Sequence, residues 1–155
     1  MKDAPSLTED IKKYIECSVL CWLATSDKDG IPNVSPKEVF TYSEQNTILI
    51  AHIASPQSVK NIIFNPNVCV SFVDILIQKG YKIHGKAQIF KKGEVEYHNK
   101  VEALETIATE RFPIHAIIEV EVQKVKQILA PSYILYPEST TEDSQRKAAI
   151  KRYGL

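Results

Sequence analysis

The chain has 155 residues, enough for one domain with a real core, and its 44% hydrophobic and 25% charged content is that of an ordinary globular protein. Lysine plus arginine and aspartate plus glutamate both number 19, so the net charge is zero and the basic excess of a nucleic-acid binder is missing. No run approaches the roughly 20 apolar residues of a membrane span, and the polar opening Met1–Asp10 lacks a signal-peptide pattern, so a cytoplasmic location is expected.

Thr8 is placed to cap a first helix that carries Ile11, Ile15 and Val19 at a four-residue repeat. Cys21 to Ser26 reads as a short apolar strand ending in the turn Asp27-Lys28-Asp29-Gly30, and Val34 to Tyr42 as its return strand. Polar Ser43-Glu44-Gln45-Asn46 makes the next turn. Thr47 to Ile53 is almost continuously apolar and is expected to be a central strand covered on both faces. Ser55-Pro56 opens a helix with Val59, Ile62 and Ile63 on one face, and Asn65-Pro66 stops it.

Val68 to Asp74 resumes a strand, with Ile75 to Lys79 as a connector. From Tyr81 to Phe90 the pattern alternates strictly: Tyr81, Ile83, Gly85, Ala87 and Ile89 point one way, and Lys82, His84, Lys86 and Gln88 the other. That is a half-exposed antiparallel strand. Glu94 to Glu110 reads as a helix with Tyr97, Val101, Leu104 and Ala108 on one stripe. Ala116 to Leu129 is the last long strand, with Ile118, Val120 and Val122 inward. Pro131 to Pro137 reads as irregular, and Glu142 to Arg152 as a closing helix, acids first, bases last and Gly154 behind it. Six strands joined mostly by hairpins favour a mainly β, antiparallel barrel over a doubly wound sheet. The five glycines include neither G-x-G-x-x-G nor a phosphate loop, which argues against dinucleotide and P-loop mechanisms.

Six segments together carry a resemblance. They are Cys21-Trp22-Leu23-Ala24-Thr25 with Asp29-Gly30; Pro32-Asn33-Val34-Ser35-Pro36-Lys37; Ile53-Ala54-Ser55-Pro56; Val59-Lys60-Asn61-Ile62; Asn65-Pro66-Asn67-Val68; and Lys79 through Ala87. In this order they resemble the FMN-binding split barrel of the pyridoxamine 5'-phosphate oxidase-like family. The resemblance implies a six-stranded antiparallel split β-barrel with short helices, one domain over residues 1–155, a core of about 8–137 and a C-terminal extension over 138–155. It also implies FMN as cofactor. The phosphate would fall to Ser55, Ser58 and Lys60 at a helix start, where free N–H groups suit an anion. Asn33, Ser35 and Lys37, alternating on the second strand, would meet the ring or phosphate, and Ala51 and His52 would flank the ring. Lys79 and Gly80 match a segment that reaches the flavin from a partner subunit, so a homodimer with shared sites is expected.

Read without the resemblance, the same residues have plainer roles. Lys37 and Lys60 would be solvated charges, Ser55 a helix cap, His52 a hydrogen-bonded core histidine, and Trp22 and Phe72 core residues. His84 faces outward with no chemistry assigned. Cys17, Cys21 and Cys69 read as free, buried or half-buried thiols, and the four histidines offer no zinc spacing. No acid–base pair stands out, so no catalytic residue is named. The function implied is an FMN-dependent oxidoreductase acting on a small molecule. The alternatives are a non-enzymatic flavin carrier or sensor, or a split barrel that holds a deazaflavin or haem-derived ligand. Pyridoxamine phosphate oxidation itself is disfavoured, because the tail offers only Arg146 and Arg152.

Overall fold

The computed structural model describes residues 5–44 and 46–155; Met1–Ala4 of the polar opening and Gln45 of the predicted turn lie outside them. In chain order the elements are α1 (Glu9–Cys17), β1 (Cys21–Ser26), β2 (Pro32–Lys37), β3 (Phe40–Ser43), β4 (Thr47–His52), α2 (Pro56–Phe64) and β5 (Asn67–Asp74). Then follow β6 (Lys79–Lys91), α3 (Val95–Ala108), β7 (Ala116–Leu129), α4 (Pro131–Leu135) and α5 (Glu142–Tyr153). The strands form a single seven-stranded sheet, every pair antiparallel, in the order β2-β1-β5-β6-β7-β4-β3.

The seventh strand corrects the expected count of six. The segment Val34–Tyr42, read as one return strand, is broken at Glu38–Val39. Its first half pairs with β1 and its second half with β4, at the opposite edge of the sheet. Two residues link the two edges, and three extended steps reach only about 11 Å. The sheet must therefore curl until its first and last strands nearly meet, which is the split-barrel form. Ala51 N–H donates to Val39 O at 2.9 Å and pins the corner.

The alternations place the core. Ile48 and Ile50 of β4 face one hydrophobic cluster with Phe72, Ile83, Ile118 and Val120, closed by Ile11 and Ile15 of α1. Leu49 and Ala51 face a second cluster with Ile117 and the α3 stripe Tyr97, Val101, Leu104 and Ala108. β4 is thus covered on both faces, as its continuous apolar run requires. Two glycines allow the strands to pack this closely. A Cβ on Gly80 would lie 2.0 Å from Phe72 O, and one on Gly85 2.2 Å from Glu121 O, at the register shift between His84 and Gly85.

Several local expectations fail. Val19 lies beyond α1 and is 80% exposed, because the helix ends at Cys17 and the chain must extend to enter β1. Trp22 is 45% exposed on the outer face of β1, so it is not core. Ile63 and its neighbour Phe64 point away from the α2 contact, which uses Val59 and Ile62. Cys17 is exposed, whereas Cys21 is fully buried. The segment after β7 is not wholly irregular: Pro131 starts the short helix α4, as its fixed φ suits a first turn. Strand β6 begins at Lys79, which shortens the connector by one residue. Helix α5 has acids in its first turn, Lys151 and Arg152 in its last, a Thr141–Ser144 capping box and Gly154 at φ 73°. The tail is tied to the barrel by Tyr133 Oη, which donates to Ile77 O at 2.8 Å, and by a 2.8 Å ion pair of Lys79 with Glu142. Among the described residues no helix is long and apolar enough to cross a membrane.

Candidate functional site

The site grows from the period-two pattern of β2. Pro32, Val34 and Pro36 are exposed, Asn33 and Ser35 are half-buried, and Lys37 is buried with 5% of its surface accessible. Lys37 stands opposite Cys21 in the β1–β2 register. Directly beyond it the Glu38–Val39 corner turns the chain towards β3. The end of β4 comes alongside, followed by Ile53, Ala54 and Ser55. The C-terminal end of α3, with Ile107, Ala108 and Thr109, supplies the opposite wall, and Phe112 and Val19 complete the rim. Between them lies a cavity of about 500 Å³ with a mostly apolar lining, within the size range of small-molecule sites (roughly 300–1,000 Å³).

Of the residues singled out in the sequence, Lys37, Ala51 and Ser55 line this cavity. Ser35 adjoins it, its Oγ 3.4 Å from that of Ser55. Ser55 precedes α2 but makes no side-chain cap to it, so the first-turn amides of that helix are left for another acceptor. His52 lies beside the cavity wall, its ring 6.3 Å from that of His115. Ser58 is fully buried in the first turn of α2. Asn33, further along β2, and Lys60, exposed on α2, lie outside the lining. So do Lys79 and Gly80 at the start of β6; Lys79 is engaged by Glu142 and sits 4.6 Å over the Tyr133 ring. No residue of the tail beyond Phe112 lines the cavity.

Buried side-chain polar atoms are almost always hydrogen-bonded, so exceptions call for an explanation. Among the described residues those without a partner are Lys37 Nζ, His52 Nδ1 and Ser58 Oγ, all three in the set above. The expectation that His52 is a hydrogen-bonded core histidine therefore fails at Nδ1. Burial lowers the Lys37 ammonium below its ordinary 10.5, against the opposing influence of Cys21. Burial pushes the Cys21 thiol up to about 12, so it stays protonated at neutral pH. His52 is lowered from 6.5 by burial first, then by the charge of Lys37 and by His115. No carboxylate appears among these influences. The group is a set of polar atoms without partners, one of them a lysine nitrogen in the wall of a mostly apolar cavity.

Sequence reasoning missed Val39, Ile53, Ala54, Ile107, Thr109 and Phe112. Ile53 and Ala54 fell in a segment that carries the resemblance but were given no role, and nothing in the sequence singled out Ile107, Thr109 or Phe112. Thr109 carries a positive φ of 60°, a backbone state that costs a β-branched residue of order 1–3 kcal/mol.

The sequence profile of the pyridoxamine 5'-phosphate oxidase family matches residues 7–129. The chain belongs to that family. Three solved structures of similar fold are bacterial proteins. HupZ of Group A Streptococcus is 28% identical, with a TM-score of 0.65 over 76% of this chain and 90% of that one. A Lactobacillus delbrueckii protein assigned as a pyridoxamine 5'-phosphate oxidase is 19% identical, with a TM-score of 0.66 over 81% and 97%. An FMN-binding protein of Syntrophomonas wolfei is 17% identical, with a TM-score of 0.65 over 78% and 85%. The last two show likeness of fold alone. No curated protein matches the chain.

Proposed function

We propose that this family member binds FMN in the cavity at the end of β2 and acts as an oxidoreductase on a small molecule, with two copies sharing two sites across a homodimer. The observation that carries the reading is the buried, unpartnered Lys37 Nζ in the lining of an apolar cavity, with two more unpartnered polar atoms on His52 and Ser58, on the β4 and α2 elements that supply Ala51 and Ser55 to that lining. FMN brings what these residues lack: a dianionic phosphate, a flat apolar ring system and a ring edge rich in acceptors. Ser55, Ser58, Lys60 and the uncapped start of α2 suit the phosphate. Asn33, Ser35 and Lys37 suit the ring edge or the phosphate, while Ala51 and Val39 supply a flat apolar wall. When bound, the flavin supplies the redox chemistry; the chain orients it, excludes water and sets the charge around it.

Family membership and the FMN-binding relative support this choice of ligand. The homodimer is supported by exposed apolar side chains beside the site: Ile31 and Val34 at and before β2, and Ile63 and Phe64 at the end of α2, which packs next to β2. An isologous contact over this face would cover them and build two equal sites.

The test is a titration of FMN fluorescence with the purified chain. Quenching should saturate at one FMN per chain. Because a hydrogen bond to a charged group contributes about 1.5–3 kcal/mol, Lys37→Met should weaken binding by about 10- to 150-fold. A flat titration would overturn the cofactor assignment. Oxidation of reduced nicotinamide by the loaded protein would then separate an enzyme from a flavin carrier, and elution in gel filtration as a monomer with full affinity would overturn the shared sites.

A further inference from the structure

Lys37 poses a problem in the ligand-free chain. Its Nζ is buried with no hydrogen-bond partner among the described residues. Among the described residues no carboxylate is bonded to it. β1 faces it with Cys21, a thiol held protonated by its own burial. β4 contributes His52, with His115 behind it, and both are neutral or cationic. α3 presents Ile107, Ala108 and Thr109, which carry no charge. Glu38, the adjacent carboxylate, lines the same cavity but is exposed to solvent, and it makes no hydrogen bond to Lys37 Nζ. An ammonium in such a place keeps the full cost of leaving water and recovers none of it, so buried lysines commonly shed the proton.

We infer that in the ligand-free chain Lys37 gives up its proton at lower pH than an exposed lysine, and that an anionic oxygen entering the cavity makes it take the proton back, so that over this window the site binds an anion and a proton together. The step is an amine plus a proton giving an ammonium; no electrons move and nothing else is consumed. Burial, the principal influence on this lysine, acts in the direction required. The inference rests on the reading of this cavity as an anion-accepting flavin site, but it concerns how the site is charged rather than which ligand fills it. Where binding is coupled to one proton, affinity falls tenfold per pH unit between the midpoint of the free lysine and that of the occupied one. Above pH 7 the phosphate of FMN is already largely in its dianionic form, so a slope there belongs to the protein.

The experiment is a pH titration by NMR of the full chain labelled with ¹³C at lysine Cε, the Lys37 signal assigned by its loss in Lys37→Arg. Without ligand, Lys37 should titrate at lower pH than the cluster of exposed lysines, and saturating FMN should move it upward. A midpoint inside that cluster, or one that FMN binding leaves in place, overturns the inference. The FMN affinity of the parent should then fall tenfold per pH unit over that window, and the slope should vanish in Lys37→Arg, which is charged throughout. Equal slopes in the two proteins would overturn the inference even with FMN bound. If FMN does not bind, the flavin reading fails separately. Inorganic phosphate then serves as the probe: a lowered Lys37 midpoint that phosphate raises supports the coupling, and one that phosphate does not move overturns it. Riboflavin, which lacks the phosphate and is uncharged in its oxidised form at neutral pH, is the control. Proton uptake with FMN and not with riboflavin assigns the anionic oxygen to the phosphate, and equal uptake with both overturns the coupling to an anion.

Discussion

Replacing Lys37 by methionine should make the ligand-free protein more stable while weakening its hold on FMN. Methionine keeps an unbranched stem of similar reach in the buried position and removes an amine that has no partner. An unsatisfied buried polar group costs about 1–3 kcal/mol, and that cost disappears in the variant. For a chain of this length each kcal/mol moves Tm by about 2–4 °C, so a rise of roughly 2–12 °C is expected in thermal denaturation without ligand. The pH dependence carries the sign. The lysine's native pKa lies below its ordinary 10.5, so the unfolded chain binds the extra proton first as pH falls through 10.5. The parent therefore loses stability from pH 10.5 down to its lowered native pKa, and the advantage of methionine grows over that window. With FMN at a hundred times its dissociation constant, the parent should gain about 2.7 kcal/mol, of which the variant forgoes between about half and nine-tenths. A Lys37→Met protein that is less stable than its parent in the absence of ligand would show that the amine is satisfied, and would refute the reasoning.

Three further outcomes follow from the same geometry. His52 is held neutral by burial, so its share of stability is complete above pH 6.5 and is lost as pH falls through its lowered native pKa; the drop in urea midpoint from pH 7 to pH 5 should be smaller in His52→Gln. Cys17 should react at once with a chromogenic disulfide reagent, whereas Cys21 should react only on unfolding; fast labelling of Cys21 in the native protein would contradict its placement. Gly85→Ala should lower stability in urea by at least about 2–3 kcal/mol, since its Cβ would meet Glu121 O at 2.2 Å and Val120 Cγ1 at 2.7 Å; a variant as stable as the parent would rule out the register shift there.

The parts of the fold that were legible are those set by local periodicity. The alternation from Tyr81 to Phe90, the stripe from Tyr97 to Ala108 and the continuous apolar run of β4 each state which faces are covered, because burial repeats with the period of the element. The broken segment 34–42 was not legible. Nothing in its residues distinguishes a long strand from two short ones, since the break is imposed by the closing of the sheet. Trp22 and Ile63 were misplaced for a related reason: hydrophobic character does not specify which apolar residues find a partner. The candidate site divides the same way. Ser35 and Lys37 were placed together by the two-residue period of one strand, which carried Asn33 along with them outside the lining, and the start of α2 was placed by its serine and proline. The opposite wall, from Ile107 to Phe112, comes from a segment about 70 residues further along the chain, and only the packing of α3 on Leu49, Ala51 and Ile117 brings it there.

The most direct test of the central claim is the visible absorption spectrum of the protein after incubation with FMN and gel filtration. A bound oxidised flavin spectrum at one equivalent per chain, strongly reduced in Lys37→Met, is the expected result. A colourless protein that elutes free of FMN would contradict the account and leave the split barrel with a different ligand.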